Sequence, residues 1–333
     1  MLKQKANDAA VKLTEEIKAI NNGAAAPVGT KAQVAATAKP QAASVQTAAS
    51  KSAPVPPRIP GAAFTIRRSK KKHRYYNGLI YGEYGVGKST LAAQASQVDE
   101  MRDVLYCNIE SGDSSVEHMD LDFVDITSYR QFARVHEFLR RHCMARDAYA
   151  EGAPGAKEEL LKLERLFKQD PDITEPVLYR TVILDTLTEV QKYCMYQLLG
   201  ITVGEFALDM EPDNPQFAEW GRSAEMIRLL VRSFRDLPIN VIFVAAKQSE
   251  QDERKRYHYK PALPGKLADE VQGFLDFVGY YVAAPATEGG EIQRRLFLTP
   301  GQTYQAKNRF PDFKATFLDN PSMRDIANLW LAK

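Results

Sequence analysis

The sequence predicts an α/β protein with a mainly parallel central sheet. Beyond Tyr75, apolar runs of four to seven residues alternate with helical stretches, which is the pattern of βα units. A glycine-rich motif at residues 82–89 lies between the first apolar run and the first helical stretch, where such units bind phosphate. The length of 333 residues, with 44% hydrophobic and 26% charged, fits one large soluble domain or two small ones.

The first 74 residues differ in composition from the rest. Residues 1–20 predict a short amphipathic helix, and residues 21–74 read as an Ala/Pro-rich basic linker without a core, so a disordered tail is expected before a domain at 75–333. The first 74 residues hold 14 Lys/Arg and 3 Asp/Glu, which leaves the remainder acidic. Any binding of nucleic acid must therefore use the tail or local basic loops.

Eight segments are predicted to be strands. They are Tyr76–Tyr81, Val104–Ile109, Phe123–Ile126, Thr181–Leu184, Val241–Ala245, Phe277–Val282, Arg294–Leu298 and Gln302–Ala306, of which the last three look more antiparallel.

Helices are expected between these strands. One spans Thr90–Ser96, and a second begins at a capping box of Ser128 and Gln131 and runs towards Met144. The charged segment within 145–176 predicts a helical insertion, and Asn320–Pro321 begins the last helix.

Membrane and disulfide classes are disfavoured. The longest apolar runs, such as Val241–Ala246, are far shorter than the roughly 20 residues that cross a bilayer, and no signal-peptide segment is found. Cys107, Cys143 and Cys194 suit neither a disulfide framework nor zinc, so buried thiols are expected. We interpret the chain as cytoplasmic with no membrane partner.

The residues 82–89 match the phosphate-binding loop (P-loop, or Walker A) pattern, G-x-x-x-x-G-K-[ST]. Its backbone N–H groups are expected to wrap the phosphates of ATP, with Lys88 at the β- and γ-phosphates and the Ser89 hydroxyl on Mg²⁺. The predicted nucleotide-binding residues are Gly82, Glu83, Tyr84, Gly85, Val86, Gly87, Lys88, Ser89 and Thr90.

Two carboxylates are expected to complete this site. Asp185 ends a buried strand and is the Walker B candidate for Mg²⁺, although it could merely cap the following helix. Glu110 ends the strand at 104–109 and is the predicted general base for ATP hydrolysis. Glu189, one turn after Asp185, is its competitor.

These residues resemble the RecA/RadA core family of P-loop NTPases, and more closely the phage-type RecA-like single-strand-annealing ATPases. The resemblance covers 75–333 and also rests on 179–188 and on Lys307-Asn308-Arg309-Phe310. It implies that Lys307 and Arg309 reach the γ-phosphate bound by a neighbouring subunit, as an arginine finger does. Oligomeric AAA+ machines place a glutamate directly after the Walker B aspartate, where this chain has Thr186.

The resemblance also implies contacts with DNA. Gln248 stands where RecA-like proteins sense γ-phosphate, and Phe64 is placed like an aromatic residue that plugs into the next subunit. The following loop, Ser249 to Lys266, interleaves cations with aromatic rings, as single-strand binding requires. Its predicted DNA-binding residues are Arg254, Lys255, Arg256, Tyr257, Tyr259 and Lys260.

The expected function is that of an ATP- and Mg²⁺-dependent, single-stranded-DNA-binding ATPase that forms a ring or filament and acts in DNA recombination or repair. A single-strand-binding protein is a possible further partner, and the resemblance places the chain in the bacterial host cytoplasm if it is phage-encoded. Two alternatives remain open: a hexameric helicase-like motor, and an annealing module in which ATP only controls assembly.

Overall fold

The computed structural model describes residues 75–201, 214–284, 292–310 and 315–331. The predicted N-terminal helix, the linker and Phe64 lie outside these ranges.

The described residues form ten strands and seven α-helices. The strands are β1 Asn77–Gly82, β2 Val104–Asn108, β3 Asp122–Asp125, β4 Thr181–Asp185, β5 Asn240–Gln251, β6 Tyr257–Pro261, β7 Phe277–Ala283, β8 Arg294–Phe297, β9 Lys307–Asn308 and β10 Phe317–Asp319. The helices are α1 Lys88–Ala93, α2 Tyr129–Ala150, α3 Ala156–Lys168, α4 Leu187–Leu198, α5 Phe217–Arg235, α6 Leu267–Phe274 and α7 Met323–Leu331. Short 3₁₀ helices occupy Gln94–Gln97 and Asp113–Ser115.

The sheet is parallel at its centre and antiparallel at one side. Its strand order is β10-β8-β7-β1-β5-β4-β2-β3, with β6 paired to β5 and β9 paired to β7. The strands from β7 to β3 along this order run parallel to one another. β8 is antiparallel to β7, and β10 is antiparallel to β8. The carboxyl ends of β1, β4 and β2 therefore share one edge, which is where open α/β sheets bind ligands.

Helices cover both faces of the sheet, as a buried parallel sheet requires. Successive residues of β1 face opposite sides, so Leu79 and Tyr81 enter a core with α2, α4, α5 and α6. Ile80 enters a second core with α1 and α7. The two cores together fix the position of β1, the strand that leads into the P-loop.

The predicted strands up to β4, and those at 277–282 and 294–298, are confirmed within a few residues. The capping box of Ser128 and Gln131 is present at the start of α2. The last helix starts at Met323, just after the predicted Asn320–Pro321. Within the predicted insertion at 145–176, α3 accounts for Ala156–Lys168.

Two predictions in the C-terminal half were wrong. The segment from Ser249 to Lys266, expected to be a loop, instead contains a β-hairpin, because β5 continues to Gln251 and pairs antiparallel with β6. Gln302–Ala306 is not a strand: Tyr304 makes an isolated bridge to Tyr259, and only β9 pairs with β7.

The three cysteines are buried and free, as expected. In the described part of the chain, we find no helix with the length and apolarity needed to cross a membrane.

Candidate nucleotide-binding site

The P-loop follows β1 and leads directly into α1. Gly82 must be glycine, since a Cβ there would lie 2.1 Å from the carbonyl oxygen of Tyr281 on β7. Gly85 and Gly87 have φ values of 75° and 90°, a region that favours glycine. Gly87 is the N-cap of α1, so the helix N-terminus points at the loop, as anion binding requires.

Lys88 lies buried at the start of α1, where its ammonium donates a hydrogen bond to the Glu83 carbonyl oxygen at 2.6 Å. Burial lowers the pKa of Lys88, and the charges of Asp185, Glu110 and Glu83 oppose that shift. Asp185 at the end of β4 and Glu110 after β2 are thus near enough to Lys88 to affect its pKa.

Asp185 ends β4 with a side chain that is only 6% exposed. Burial raises the pKa of Asp185, whereas the hydroxyl groups of Ser89 and Tyr106 and the charge of Lys88 lower it. The Tyr106 hydroxyl donates a hydrogen bond to Oδ2, while Oδ1 is buried with no hydrogen-bond partner. The peptide between Asp185 and Thr186 is cis.

These residues fit Mg²⁺. An unsatisfied buried carboxylate oxygen beside a serine hydroxyl is the donor set that P-loop proteins use for this ion. Asp185 and Ser89 would hold Mg²⁺, which supplies positive charge to the phosphate oxygens when bound. Thr186 also caps α4 by accepting a hydrogen bond from Glu189 N, so the capping role falls to Thr186 rather than Asp185.

Glu110 follows β2 and is exposed. Burial raises the pKa of Glu110, with further increases from Asp185 and Glu189 and opposing effects from Lys88 and Lys192. Glu189 is less available, because its carboxylate forms an ion pair with Lys192 at 2.8 Å and is only 18% exposed. Glu110 makes no ion pair among the described residues.

A comparison with protein families identifies the family to which this chain belongs. The sequence profile of a family described as an AAA domain matches residues 74–310, which include the P-loop, Glu110 and Asp185. The chain belongs to this AAA domain family. It is therefore a P-loop NTPase of AAA type with a nucleotide-dependent role. A comparison with curated proteins gave no match.

In this AAA domain, the β5–β6 hairpin begins beside the P-loop. Lys247 on β5 forms an ion pair with the Glu83 carboxylate, and its ammonium lies 4.2 Å from the centroid of the Tyr259 ring. Tyr259 stacks on Tyr280 of β7 at 5.8 Å. Gln248 comes next on β5, paired in register with Lys260 and half-buried. Residues 247–248 and 259–260, the hairpin root, are thus packed against the central sheet.

The six predicted DNA-binding residues fall into two groups. Arg254 and Lys255 lie exposed in the hairpin turn, and Tyr257 begins β6 with 55% of its side chain exposed. Arg256 is exposed too, but pairs with Asp252 at 2.9 Å. The other two already have partners: Tyr259 stacks on Tyr280 of β7, and Lys260 is buried and pairs with Glu250.

The two cations predicted to act on a neighbouring subunit have partners in their own chain. The Lys307 ammonium donates hydrogen bonds to the Gln272 and Leu275 carbonyl oxygens at the end of α6. Arg309 pairs with Asp276 at 2.9 Å and remains 48% exposed. Arg309 is thus the more accessible cation.

The structure adds four residues that sequence reasoning missed. Tyr106 binds Asp185, Arg294 donates to the P-loop carbonyl oxygen of Val86 at 3.0 Å, and Phe217 and Trp220 are exposed aromatic residues at the start of α5. A signal existed for the last pair, since Phe217 and Trp220 lie three residues apart on one helix face among polar residues. Arg294 gave no local signal.

Proposed function

We propose that the chain is a Mg²⁺-dependent ATPase of RecA-like type that binds single-stranded DNA and acts as an oligomer in recombination or annealing. The observation that supports it most is that Asp185 and Glu110, at the carboxyl ends of β4 and β2, both act electrostatically on Lys88, which follows β1 at the same edge of the sheet. A cation, a metal-binding carboxylate and a second, exposed carboxylate are the groups that phosphoryl transfer to water needs.

Each residue has a distinct part in the proposed reaction. The P-loop amides and Lys88 bind the β- and γ-phosphates, and Ser89 and Asp185 hold the metal. Glu110 orients a water molecule and accepts its proton, and its raised pKa brings it closer to the operating pH, as suits a general base. Gln248 lies on β5, the strand between β1 and β4, and in this proposal it contacts the terminal phosphate.

The DNA part of the proposal relies on the exposed end of the hairpin. Arg254 and Lys255 supply cations for phosphates, and Tyr257 supplies a stacking face. Phe217, 95% exposed, and Trp220, 44% exposed, line a groove of about 490 Å³ that also includes Gln248. The two exposed aromatic residues of α5 therefore line the same groove as Gln248 of the hairpin.

The proposed oligomer depends on Lys307 and Arg309, the two cations expected to act on a neighbouring subunit. In the proposed assembly Arg309 leaves Asp276 to reach the nucleotide of the next subunit, where it stabilises charge on the transferred phosphoryl group. Lys307 would have to give up two carbonyl partners for the same role. Hydrolysis that needs a neighbour rises more than linearly with protein concentration.

The first experiment is ATP turnover measured with and without an oligo(dT) strand, over a range of protein concentrations. We expect stimulation by DNA and a specific activity that rises with concentration. Lys88→Ala should lose nucleotide binding, whereas Glu110→Gln should bind ATP and lose turnover by about 10²–10⁴-fold. Glu189→Gln is the matched control and should retain most activity. A fully active Glu110→Gln enzyme would refute the assigned base.

A second experiment tests DNA contact without turnover. The chain has two tryptophans, of which Trp330 is buried at 6% exposure and Trp220 is exposed. Oligo(dT) should quench the emission of Trp220, and Trp220→Phe should abolish the change. Unaltered emission at saturating oligo(dT) would show that Trp220 does not contact DNA. A separate strand-displacement assay distinguishes annealing from unwinding.

A further inference from the structure

A cavity of about 280 Å³ opens beside the P-loop, between α1 and the antiparallel side of the sheet. Its lining residues are Gly87, Thr90, Leu91, Gln94, Tyr281, Arg294, Asn320 and Pro321. Gly87 and Thr90 belong to the phosphate-binding segment, so the cavity is continuous with the nucleotide site. Whole-ligand pockets measure roughly 300–1,000 Å³, so this cavity suits one part of a nucleotide.

The strand order gives the direction in which a nucleotide lies. Asp185 and Glu110 belong to β4 and the end of β2, on one side of β1, whereas Tyr281 and Arg294 belong to β7 and β8 on the other side. With the metal and the terminal phosphate near Asp185, the nucleoside end extends towards β7 and β8. This step depends on the proposed function, which sets where the terminal phosphate lies.

Arg294 is held firmly in the wall of this cavity. Its Nε donates to the Val86 carbonyl oxygen at 3.0 Å, and its backbone N–H donates to Asn320 Oδ1 at 2.7 Å. A Cβ on Gly87 would lie 3.5 Å from that Nε, so the guanidinium lies against the P-loop backbone. Arg294 is half-buried and forms no ion pair among the described residues. A half-buried cation without a carboxylate partner, next to an anion site, points to a ligand.

We propose that Arg294 binds the adenosine end of the nucleotide, with its planar guanidinium stacked on the purine ring. Guanidinium groups stack on aromatic rings and bring positive charge to their faces. The buried Tyr281 forms a wall of the cavity, and Gln94, whose Oε1 accepts a hydrogen bond from Met323 N at 3.1 Å, borders it on α1. The Asn320 side chain positions Arg294 by accepting a hydrogen bond from the Arg294 backbone N–H.

The next residue provides a matched control. Arg295 points to the opposite side of β8, as alternation in a strand requires. Its guanidinium pairs with Asp319 at 2.7 Å and lies 3.8 Å from the centroid of the Phe317 ring. Arg295→Gln therefore removes the same charge from the same strand without touching the P-loop.

The test compares ADP with inorganic pyrophosphate by isothermal titration calorimetry in Mg²⁺. The two ligands carry the same number of phosphates and differ in adenosine. Arg294→Gln should weaken ADP binding about tenfold and leave pyrophosphate binding within about twofold. Arg295→Gln should change neither affinity, and Lys88→Ala should weaken both.

Each other result has a defined meaning. Equal loss of ADP and pyrophosphate affinity in Arg294→Gln would show that Arg294 only shapes the P-loop, and would overturn the proposal. An unchanged ADP affinity would overturn it as well. A wild-type chain that binds neither ligand would refute the nucleotide site and this proposal together. Absent turnover or DNA stimulation would refute the proposed function and leave these affinities standing.

Discussion

Replacing Gly82 with alanine forces a methyl group against a neighbouring strand. The added Cβ would lie 2.1 Å from the Tyr281 carbonyl oxygen, whereas close C···O contacts measure about 3.3 Å. Gly82 and Tyr281 are partners in the parallel register of β1 and β7, so the two strands must separate by about 1 Å. We expect a loss of about 3 kcal/mol in the free energy of unfolding, the upper end for overpacked cores, because backbone cannot rotate away.

Urea denaturation followed by circular dichroism measures this loss. Gly221→Ala is the control, since Gly221 lies inside α5 with open space around its Cα. Alanine there should raise the free energy of unfolding by about 0.5–1 kcal/mol, because glycine is a poor helix former. A Gly82→Ala chain as stable as the wild type would refute the close approach of β1 and β7.

Three further predictions concern ionisation at the site. Burial raises the pKa of Asp185, so the free energy of unfolding falls as pH rises through that pKa and the carboxyl group ionises. Asp185→Asn should therefore melt at a higher temperature than the wild type at neutral pH, with a smaller difference in acid. The same variant should lose Mg²⁺-dependent nucleotide binding. Because burial raises the pKa of Glu110 above that of an ordinary glutamate, ATP turnover should fall on the acid side at a higher pH than an ordinary glutamate would give. Rates that stayed flat across pH would contradict this. Tyr106→Phe removes a hydrogen bond that lowers the pKa of Asp185, so the acid limit of Mg²⁺·ATP binding, followed by calorimetry, should move to higher pH.

Local signals predict the residues of the candidate nucleotide site. The P-loop is contiguous in sequence, and Asp185 and Glu110 each end an apolar strand. Because carboxyl ends of parallel strands meet at one edge, their convergence on Lys88 follows from the order of βα units. The strand between β1 and β4 contributes Lys247 and Gln248 for the same reason.

Features that depend on distant partners were not predictable. The polar residues 247–251 gave no strand signal, and β5 continues there because β6 supplies hydrogen bonds and Tyr259 supplies ring contacts with Tyr280. Arg294 reaches Val86 across 208 residues of sequence, so only the folded sheet reveals the contact. The bonds of Lys307 to the end of α6 are likewise tertiary.

The stacked rings at the hairpin root make the hairpin a preorganised arm. Tyr259 packs between the ammonium group of Lys247 and the ring of Tyr280, which itself stacks on Tyr81 at 5.1 Å. Ordering a free loop costs about 1–2 kcal/mol of backbone entropy for every residue fixed. In this chain folding has already met that cost, so the single-stranded DNA proposed to bind along the arm would keep more of its contact energy as affinity.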